Sequence, residues 1–449
     1  MIDRNEIRPQ VPKINVTKSG AEFPLSEAKF PQPFRIVLEY GPPARGTWTI
    51  AHSTMLVPGL HQIFVCCACC LQGVVLTADE LEGGAERFSM VTVTNENLLK
   101  GDLEQMMIDG VIDILEGMDE KPRCVECFTS CIQHFLHIDL NVVYRKLNER
   151  YPDIDFIDGY MIPTLQRQFT PDMLGRRQLL RAVPDVPKKK AVNIAVNYFE
   201  TEPETELIRM LKDGGYTVRD FAALSDYDEY KAMGEARANI YFLDASAPAA
   251  KDMESRIGQT AVFAPYSWDG DTIRRTLAEL AERFDVALPD LDACEAAAEA
   301  KLAEAKRVIG DTPVAIDMTA TPRPLGLARM LLEHGFNVYA VYADVYEKAE
   351  ETDFKWLQEN HPGLLLRAIS HYKMRLLPRD DAERLNGVLA IGQKAAYFTG
   401  TDRFVNIIEN SGLYGFHGIG RLAELMIDAW ENPKDTEAIV TVKAWGCTG

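Results

Sequence analysis

The stretch VNIAVNYFETEPETELIRMLKDGGYTVRDF, residues 192–221, decides the architecture. VNIAVNY (192–198) is a short β-rich run, TELIRMLKDGG (205–215) carries apolar residues at helical spacing and stops on two glycines, and YTVRDF (216–221) is β-rich again. Strand, helix and strand in such quick succession form a βαβ unit, whose two strands run parallel. NIYFLDA (239–245), a helix and TAVFAPY (260–266) continue the series. The Ala/Glu-rich LDACEAAAEAKLAEAKRVIG (291–310) is a strong helix former that reads as a connector between domains. The pattern then restarts with TPVAIDM (312–318), the loop TATPRP, the helix LGLARMLLEHG and the strand FNVYAVY, and GVLAIGQ (387–393) and YFTGT follow.

Upstream, IFVCCACCLQG, RFSMVTVTNENLL, a helix through GDLEQMMIDGVIDILEGM and PRCVECFTSC read as a further α/β domain that holds nearly all the cysteine. The expected class is therefore α/β, with three Rossmann-like domains built on parallel sheets. The expected division is an N-terminal arm over 1–30, a cysteine-rich domain over 31–185, and Rossmann-like domains over 186–300 and 301–449, the last with a C-terminal helix. Ligands in such folds sit at the carboxyl ends of the strands, so the loops after Met318, Ala245, Tyr266 and Gly392 are candidate pocket walls. No GxGxxG follows a strand and no GxxxxGK(S/T) occurs, so neither a bound nucleotide nor ATP hydrolysis by this chain is indicated.

At 449 residues the chain has room for two to four domains of roughly 100–200 residues. Hydrophobic residues make up 47 % and charged residues 26 %, the mixture of a globular protein, and no apolar run reaches the roughly 18 residues that span a membrane. MIDRNEIRPQVPKINVTKSG has no apolar core of a secretory signal, which points to a cytoplasmic protein with an extended arm. A net charge of −19 argues against nucleic acid and suits a protein partner with a basic docking face.

Of nine cysteines, seven fall in two groups. VCCACCLQG (65–73) holds Cys66, Cys67, Cys69 and Cys70, and CVECFTSC (124–131) holds Cys124, Cys127 and Cys131; Cys294 and Cys447 are isolated and read as small apolar residues. In a reducing compartment, thiols grouped this way point to metal. KPRCVEC reads as a strand end and a helix begins at Ser130, which puts Cys131 at a helix N-terminus, where the dipole favours a thiolate. Soft thiolates select zinc, Cu(I) or iron–sulfur clusters. Zinc commonly takes paired C-x2-C units, and outside the adjacent CC pairs of residues 66–70, which are poor zinc chelators, only Cys124 and Cys127 form one; an iron–sulfur cluster accepts irregular spacing because its irons lie ångströms apart. Buried structural or redox-switch thiols are the other reading.

The arrangement resembles the component 1 family of nitrogenase and nitrogenase-like reductases, its D-type subunit more than its K-type. In LVPGLHQIFVCCACC, Cys70 falls where the family's His-Gly-Pro-x-Gly-Cys delivers a bridging cluster thiolate. SCIQHFLHIDL matches the family's Ser-x-Cys-Pro-x-x-Leu-Ile-Gly-Asp-Asp, with Cys131 at the cysteine and Asp139 at the last acid. VTVTNENLLKGDLEQMMIDGVIDI, PDMLGRR and above all SGLYGFHGIGRLAELMIDAWENP extend the likeness over about residues 45–435. The resemblance implies a cluster of the 4Fe–4S kind or a larger, P-cluster-like 8Fe–7S kind. Its implied ligands are first Cys70 and Cys131, next Cys67 and Cys127, and last Cys66, Cys69 and Cys124.

Departures from the family narrow the function. The middle cluster cysteine has no counterpart in GAERFSMVTV, and no cysteine stands near FAPYSWDGDTIRRTLAEL, where one should hold the family's catalytic cofactor. Asn406 or its neighbours stand in place of the cofactor-ligating histidine, and Arg176 in place of the pocket histidine. Reduction of dinitrogen by the usual cofactor is not expected.

The resemblance thus implies a reductase subunit that takes low-potential electrons from an ATP-dependent, component 2-like iron–sulfur reductase. It would pair with a second copy or a K-type subunit and reduce a small molecule. His417 and His52 are the candidate proton donors. Arg176 and Arg177 are candidate clamps for a substrate carboxylate or phosphate, or else a solvated pair. His134 and His137, one turn apart after Cys131, read as a core-facing pair, or alternatively as ligands. Competing readings are a cluster-assembly scaffold of the same fold, a 2-hydroxyacyl-type iron–sulfur dehydratase, and a zinc-stabilised binding protein.

Overall fold

The computed structural model describes residues 20–36, 38–42, 50–79, 83–162 and 169–436. Its strands, in chain order, are β1 (Glu22–Pro24), β2 (Leu60–Cys66), β3 (Phe88–Thr92), β4 (Cys124–Ser130), β5 (Asp155–Met161), β6 (Ala191–Ile194), β7 (Thr217–Asp220), β8 (Ala238–Tyr241), β9 (Thr260–Phe263), β10 (Pro313–Asp317), β11 (Asn337–Tyr342), β12 (Leu365–Arg367), β13 (Leu389–Ile391) and β14 (Phe404–Val405). The helices that bear on function are α1 (Ile50–Met55), α2 (Ala68–Asp79), α3 (Leu103–Glu116), α4 (Cys131–Phe135), α5 (Leu140–Arg150), α6 (Pro171–Gln178), α7 (Leu291–Ile309), α8 (Pro324–Glu333), α9 (Gln393–Thr399) and α10 (Gly415–Glu431). YFTGT, which follows GVLAIGQ in the alternation, closes α9.

These elements form two compact units. One comprises the described residues of 48–200 and 211–265 and contains two four-stranded parallel sheets, in the orders β3-β2-β4-β5 and β7-β6-β8-β9. The other comprises those of 1–47, 201–210 and 266–449 around a six-stranded sheet, β1-β12-β11-β10-β13-β14, parallel except for β1 against β12. Three parallel sheets are as expected, but the boundaries differ. Phe23 stacks on Phe34 with centroids 4.8 Å apart, Glu39 bridges His371, and the Tyr40 and Tyr397 hydroxyls are 3.1 Å apart. The part of the arm that is described, and the residues up to 42, therefore belong with the C-terminal sheet rather than with the cysteine-rich domain; residues 1–19 lie outside the described residues. The Ala/Glu-rich helix α7 runs through the expected boundary at residue 300 and packs along α10.

Strands of parallel sheets are covered on both faces, so their polar residues need internal partners. In β2, all of whose residues are buried, His61 Nε2 lies 2.8 Å from Ser89 Oγ, and Gln62 Nε2 donates to the Ala51 carbonyl (3.1 Å). Burial lowers the His61 pKa to about 4. Arg87 donates from Nε, Nη1 and Nη2 to the carbonyls of Leu60, Met55 and Val57 (2.8, 3.1 and 2.6 Å), locking the entry to β2. The second sheet carries a buried amide chain. Asn193 Nδ2 donates to Asn239 Oδ1 (2.9 Å) and to the Met233 carbonyl, Asn239 Nδ2 to Gln259 Oε1 (2.8 Å), and Gln259 Nε2 back to Met233 (2.7 Å).

In the six-stranded unit, buried Asp and Glu side chains occupy helix N-termini, where the first N–H groups lack partners within the helix. Asp317, at the end of β10, accepts from the Ala395 N–H of α9 (2.8 Å) and the Thr319 N–H (2.8 Å). Gly392 passes so close, at φ +106°, that a Cβ there would lie 2.2 Å from the Asp317 carboxylate. The loops after Met318 and Gly392, expected as pocket walls, thus converge on the chain's own anion. Glu350 accepts from Leu325 and Gly326 in α8 (2.7 and 3.3 Å), and Glu206 accepts from His417 in α10 (2.9 Å).

Two predictions follow from these networks. Asn239→Ala leaves Gln259 Oε1 without its donor and takes one of two acceptors from Asn193, costing about 1–3 kcal/mol, and lowers the urea midpoint of the unit that holds it. Burial raises Glu350 to about 8 against an ordinary 4.5. Its contribution to stability is therefore complete below pH 4.5 and is lost as pH rises through about 8. Unfolding followed against pH should show a shallower loss across that interval for Glu350→Gln than for the parent chain.

Candidate metal centre

β2 and β4 lie side by side in parallel, with Leu60 opposite Cys124 and Val65 opposite Thr129. Both therefore release the chain at the same edge. From β2 the chain passes Cys66 and Cys67 into α2, which carries Cys69 and Cys70 in its first turn; from β4 it passes Ser130 directly into Cys131. Gln133, which is buried, fastens the two exits together. Its Nε2 donates to the Val65 carbonyl (2.6 Å), and its Oε1 accepts from the Ser130 N–H and Oγ–H (2.9 and 2.7 Å). The Cys70 N–H donates to the Cys67 carbonyl (2.9 Å), and the Cys69 and Cys70 sulfurs are 4.0 Å apart.

Exposure increases outward along this group. Cys66 is buried, Cys67 and Cys131 are half-buried, and Cys69 and Cys70 are exposed. Burial, followed by the charges of Cys69, Cys67 and Cys131, raises the Cys70 pKa, so these four thiols share one electrostatic neighbourhood. Burial raises Cys66 to about 12, with Cys70, Cys67 and Cys69 adding to the shift. A thiol raised by its neighbours in this way is relieved when a cation takes the negative charge.

The C-x2-C-x3-C run does not act as one group. Cys124 opens β4 instead of closing a strand, and seven residues of extended chain put it about 23 Å from Cys131; Cys127 is about 13 Å away. The two side chains also point to opposite faces. Cys124 packs with Leu60, Ile157 and Leu179, and Cys127 with Ile63, Val143 and Leu147. Burial pushes both thiols far above their ordinary range. Neither joins the thiols at the strand ends, and both read as core residues. The helix begun by Cys131 ends at Phe135, so the dipole behind it is that of little more than one turn.

The other candidates are dispersed. His52 is half-buried on α1. Arg176, 1 % exposed, cannot clamp a substrate. Its Nε donates to Asp172 (2.9 Å) and its Nη1 to the Val196 carbonyl (2.7 Å), and its guanidinium carbon lies 3.8 Å from the centroid of Tyr198. His417 Nε2 pairs with Glu202 (2.6 Å). His134 and His137 are exposed rather than core-facing, with ring centroids 6.5 Å apart. Cys294 is half-buried, and Cys447 lies outside the described residues. Gln133 was missed, although Ser-x-x-Gln in SCIQ is the signature of a capping box, which Ser130 and Gln133 form.

Among the described residues, no three His, Cys, Asp or Glu side chains are drawn together to hold a single metal ion. The donors that do converge are all sulfur, spread over two strand ends, and suit a cluster several ångströms across better than one ion. No helix among the described residues is long and apolar enough to cross a membrane.

The comparisons with known proteins concur on the fold. Two solved structures, "Nitrogenase Cp1 at pH 6.5" and "Nitrogenase Cp1 at pH 5", superpose with TM-scores of 0.63 and 0.60 at 13 % and 14 % identity. The first covers 88 % of this chain and 94 % of its own, and the second 98 % of each. No curated protein matches. The family description "Nitrogenase component 1 type Oxidoreductase" matches residues 91–430, a span that includes Cys131 and begins downstream of Cys70. The chain belongs to the nitrogenase component 1 type oxidoreductase family.

Proposed function

We propose that the chain is the subunit of a nitrogenase-like reductase that holds a thiolate-ligated iron–sulfur cluster at the carboxyl ends of β2 and β4. Cys70 and Cys131 are the primary ligands, with Cys67, Cys69 and Cys66 as the near reserve. The supporting observation is that Cys67, Cys69, Cys70 and Cys131 gather at one edge of one sheet through the pairing of β2 with β4 and the Gln133 bridge. When bound, such a cluster supplies one-electron transfer at a potential tuned by hydrogen bonds, charge and burial. The residues of the chain hold it, orient it and limit its contact with water.

The cluster is proposed to lie near a subunit interface with a second copy or a K-type subunit. Leu99 (89 % exposed), Phe135 (63 %) and Leu136 (53 %) are large apolar side chains open to solvent, the last two only a few residues beyond Cys131. Apolar surface of this kind calls for a cover. Electrons would come from an ATP-dependent, component 2-like reductase, and the substrate would be a small molecule other than dinitrogen. His417, held by Glu202, is the proposed proton-holding group, with His52 second. Exposure of Cys69 and Cys70 favours one further reading, a scaffold that builds a cluster and hands it on. Reductive turnover with the cognate ATPase separates the two.

Anaerobic purification with iron and sulfide analysis and EPR tests the assignment. Cys70→Ala and Cys131→Ala should each lose most of the iron; wild-type iron in both would refute the ligand set. Cys124→Ala and Cys127→Ala should keep the iron and lose about 1 kcal/mol of stability each, the cost of a small core void.

A further inference from the structure

The family resemblance implies a second metal group, the catalytic cofactor whose pocket histidine is replaced here by Arg176, and the residues of this chain do not fit it. In the β7-β6-β8-β9 sheet the chain leaves β6 toward β7 on one side and β8 on the other, so the ligand crevice of that sheet lies beyond the carboxyl ends of β6 and β8. Arg176 spans this place. From α6, its Nη1 reaches the Val196 carbonyl just after β6 (2.7 Å) and Ser246 Oγ after β8 (3.5 Å). Its Nε holds Asp172 Oδ2 (2.9 Å), and the other oxygen of that carboxylate accepts from the hydroxyl of Tyr198 (2.9 Å), on whose ring the guanidinium lies. Val196 takes φ +54°, uncommon for a β-branched residue, and its carbonyl accepts from both Arg176 and Ser246 Oγ (3.3 Å).

Chemistry agrees with geometry. Residues 138–293, which include α6 and the whole of this sheet, contain neither a cysteine nor a histidine. A permanent cation sits where a metal cation would need anionic or soft donors. Asn197, 2 % exposed with both amide atoms unpartnered, offers only a carboxamide. In the other unit, Asn406, which stands near the position of the cofactor-ligating histidine, already accepts from Gln393 Nε2 (2.8 Å).

We infer that Arg176 replaces the second cofactor as an internal staple, joining α6 to the ends of β6 and β8 and closing that crevice to a metallocluster, so that the thiols at β2 and β4 form the metal centre of the chain. The inference rests on the proposed cluster only for its iron count; the staple stands without it.

The test uses full-length protein purified anaerobically, with elemental analysis, EPR and thermal unfolding. The Cys70→Ser/Cys131→Ser double variant, shown folded by circular dichroism, should retain no cluster signal and no stoichiometric iron, molybdenum or vanadium. Retention of a distinct metal signal by that variant, or stoichiometric molybdenum or vanadium in the parent protein, overturns the inference. A parent protein that binds no metal at all defeats the proposed function instead and leaves the staple to its own arm. There, Arg176→Lys should lower the melting temperature, because an ammonium replaces neither the fork nor the stack, while iron per chain stays at the parent level. An unchanged melting temperature, or iron per chain that changes with Arg176, sinks the staple; Arg176→Met serves as the second variant.

Discussion

The parallel pairing of β2 with β4 is the constraint on which the rest of the site depends. Two adjacent parallel strands must release the chain at one edge, and here the first residues beyond those exits are cysteines. A slip of one residue in this pairing would turn every side chain of the strand to the other face. The polar residues of β2 oppose such a slip, because His61 and Gln62 each have a partner fixed elsewhere, Ser89 and the Ala51 carbonyl. Register, which is usually discussed as a matter of packing, here also determines whether the thiols meet.

Fold class and the series of parallel strands were legible because βαβ units leave local marks: apolar runs, a glycine stop, another apolar run. The placement of Cys131 at a helix start beyond a strand was legible for the same reason, whereas that of Cys70 came from the family resemblance. The C-x2-C-x3-C spacing misled because a motif counted in residues has no length until its backbone is known. In a helix the three sulfurs would share a face, whereas in β4 they spread along the strand and two of them enter different cores. Arg176 misled in the opposite direction. An arginine where the family has a pocket histidine looks available to a substrate, and only burial and partners from three different segments show that it is fully used. The domain boundaries were beyond sequence reading, since strand β1 joins a sheet whose other strands lie more than a hundred residues away, and the 201–210 segment joins the unit around that sheet.

The interior of this protein places its own polar side chains where its fold would otherwise take ligands. Asp317, Glu350 and Glu206 sit at helix N-termini, positions that accept phosphate in other α/β proteins. Arg176 does the same at a strand-end crevice. At the edge beyond β2 and β4, by contrast, Cys69 and Cys70 remain exposed.

The gradient of thiol exposure also sets an order of chemical damage. Cys69 and Cys70 face solvent, where an oxidant meets them first, while Cys124 and Cys127 are sealed in apolar surroundings that keep them protonated and inert. Air therefore spends itself on sulfurs that the fold does not need and spares those built into its cores. Under the proposed assignment, a chain stripped of its cluster by oxygen stays folded, and as long as its thiols have gone no further than disulfide or sulfenic acid, reduction restores the sulfurs that the cluster needs.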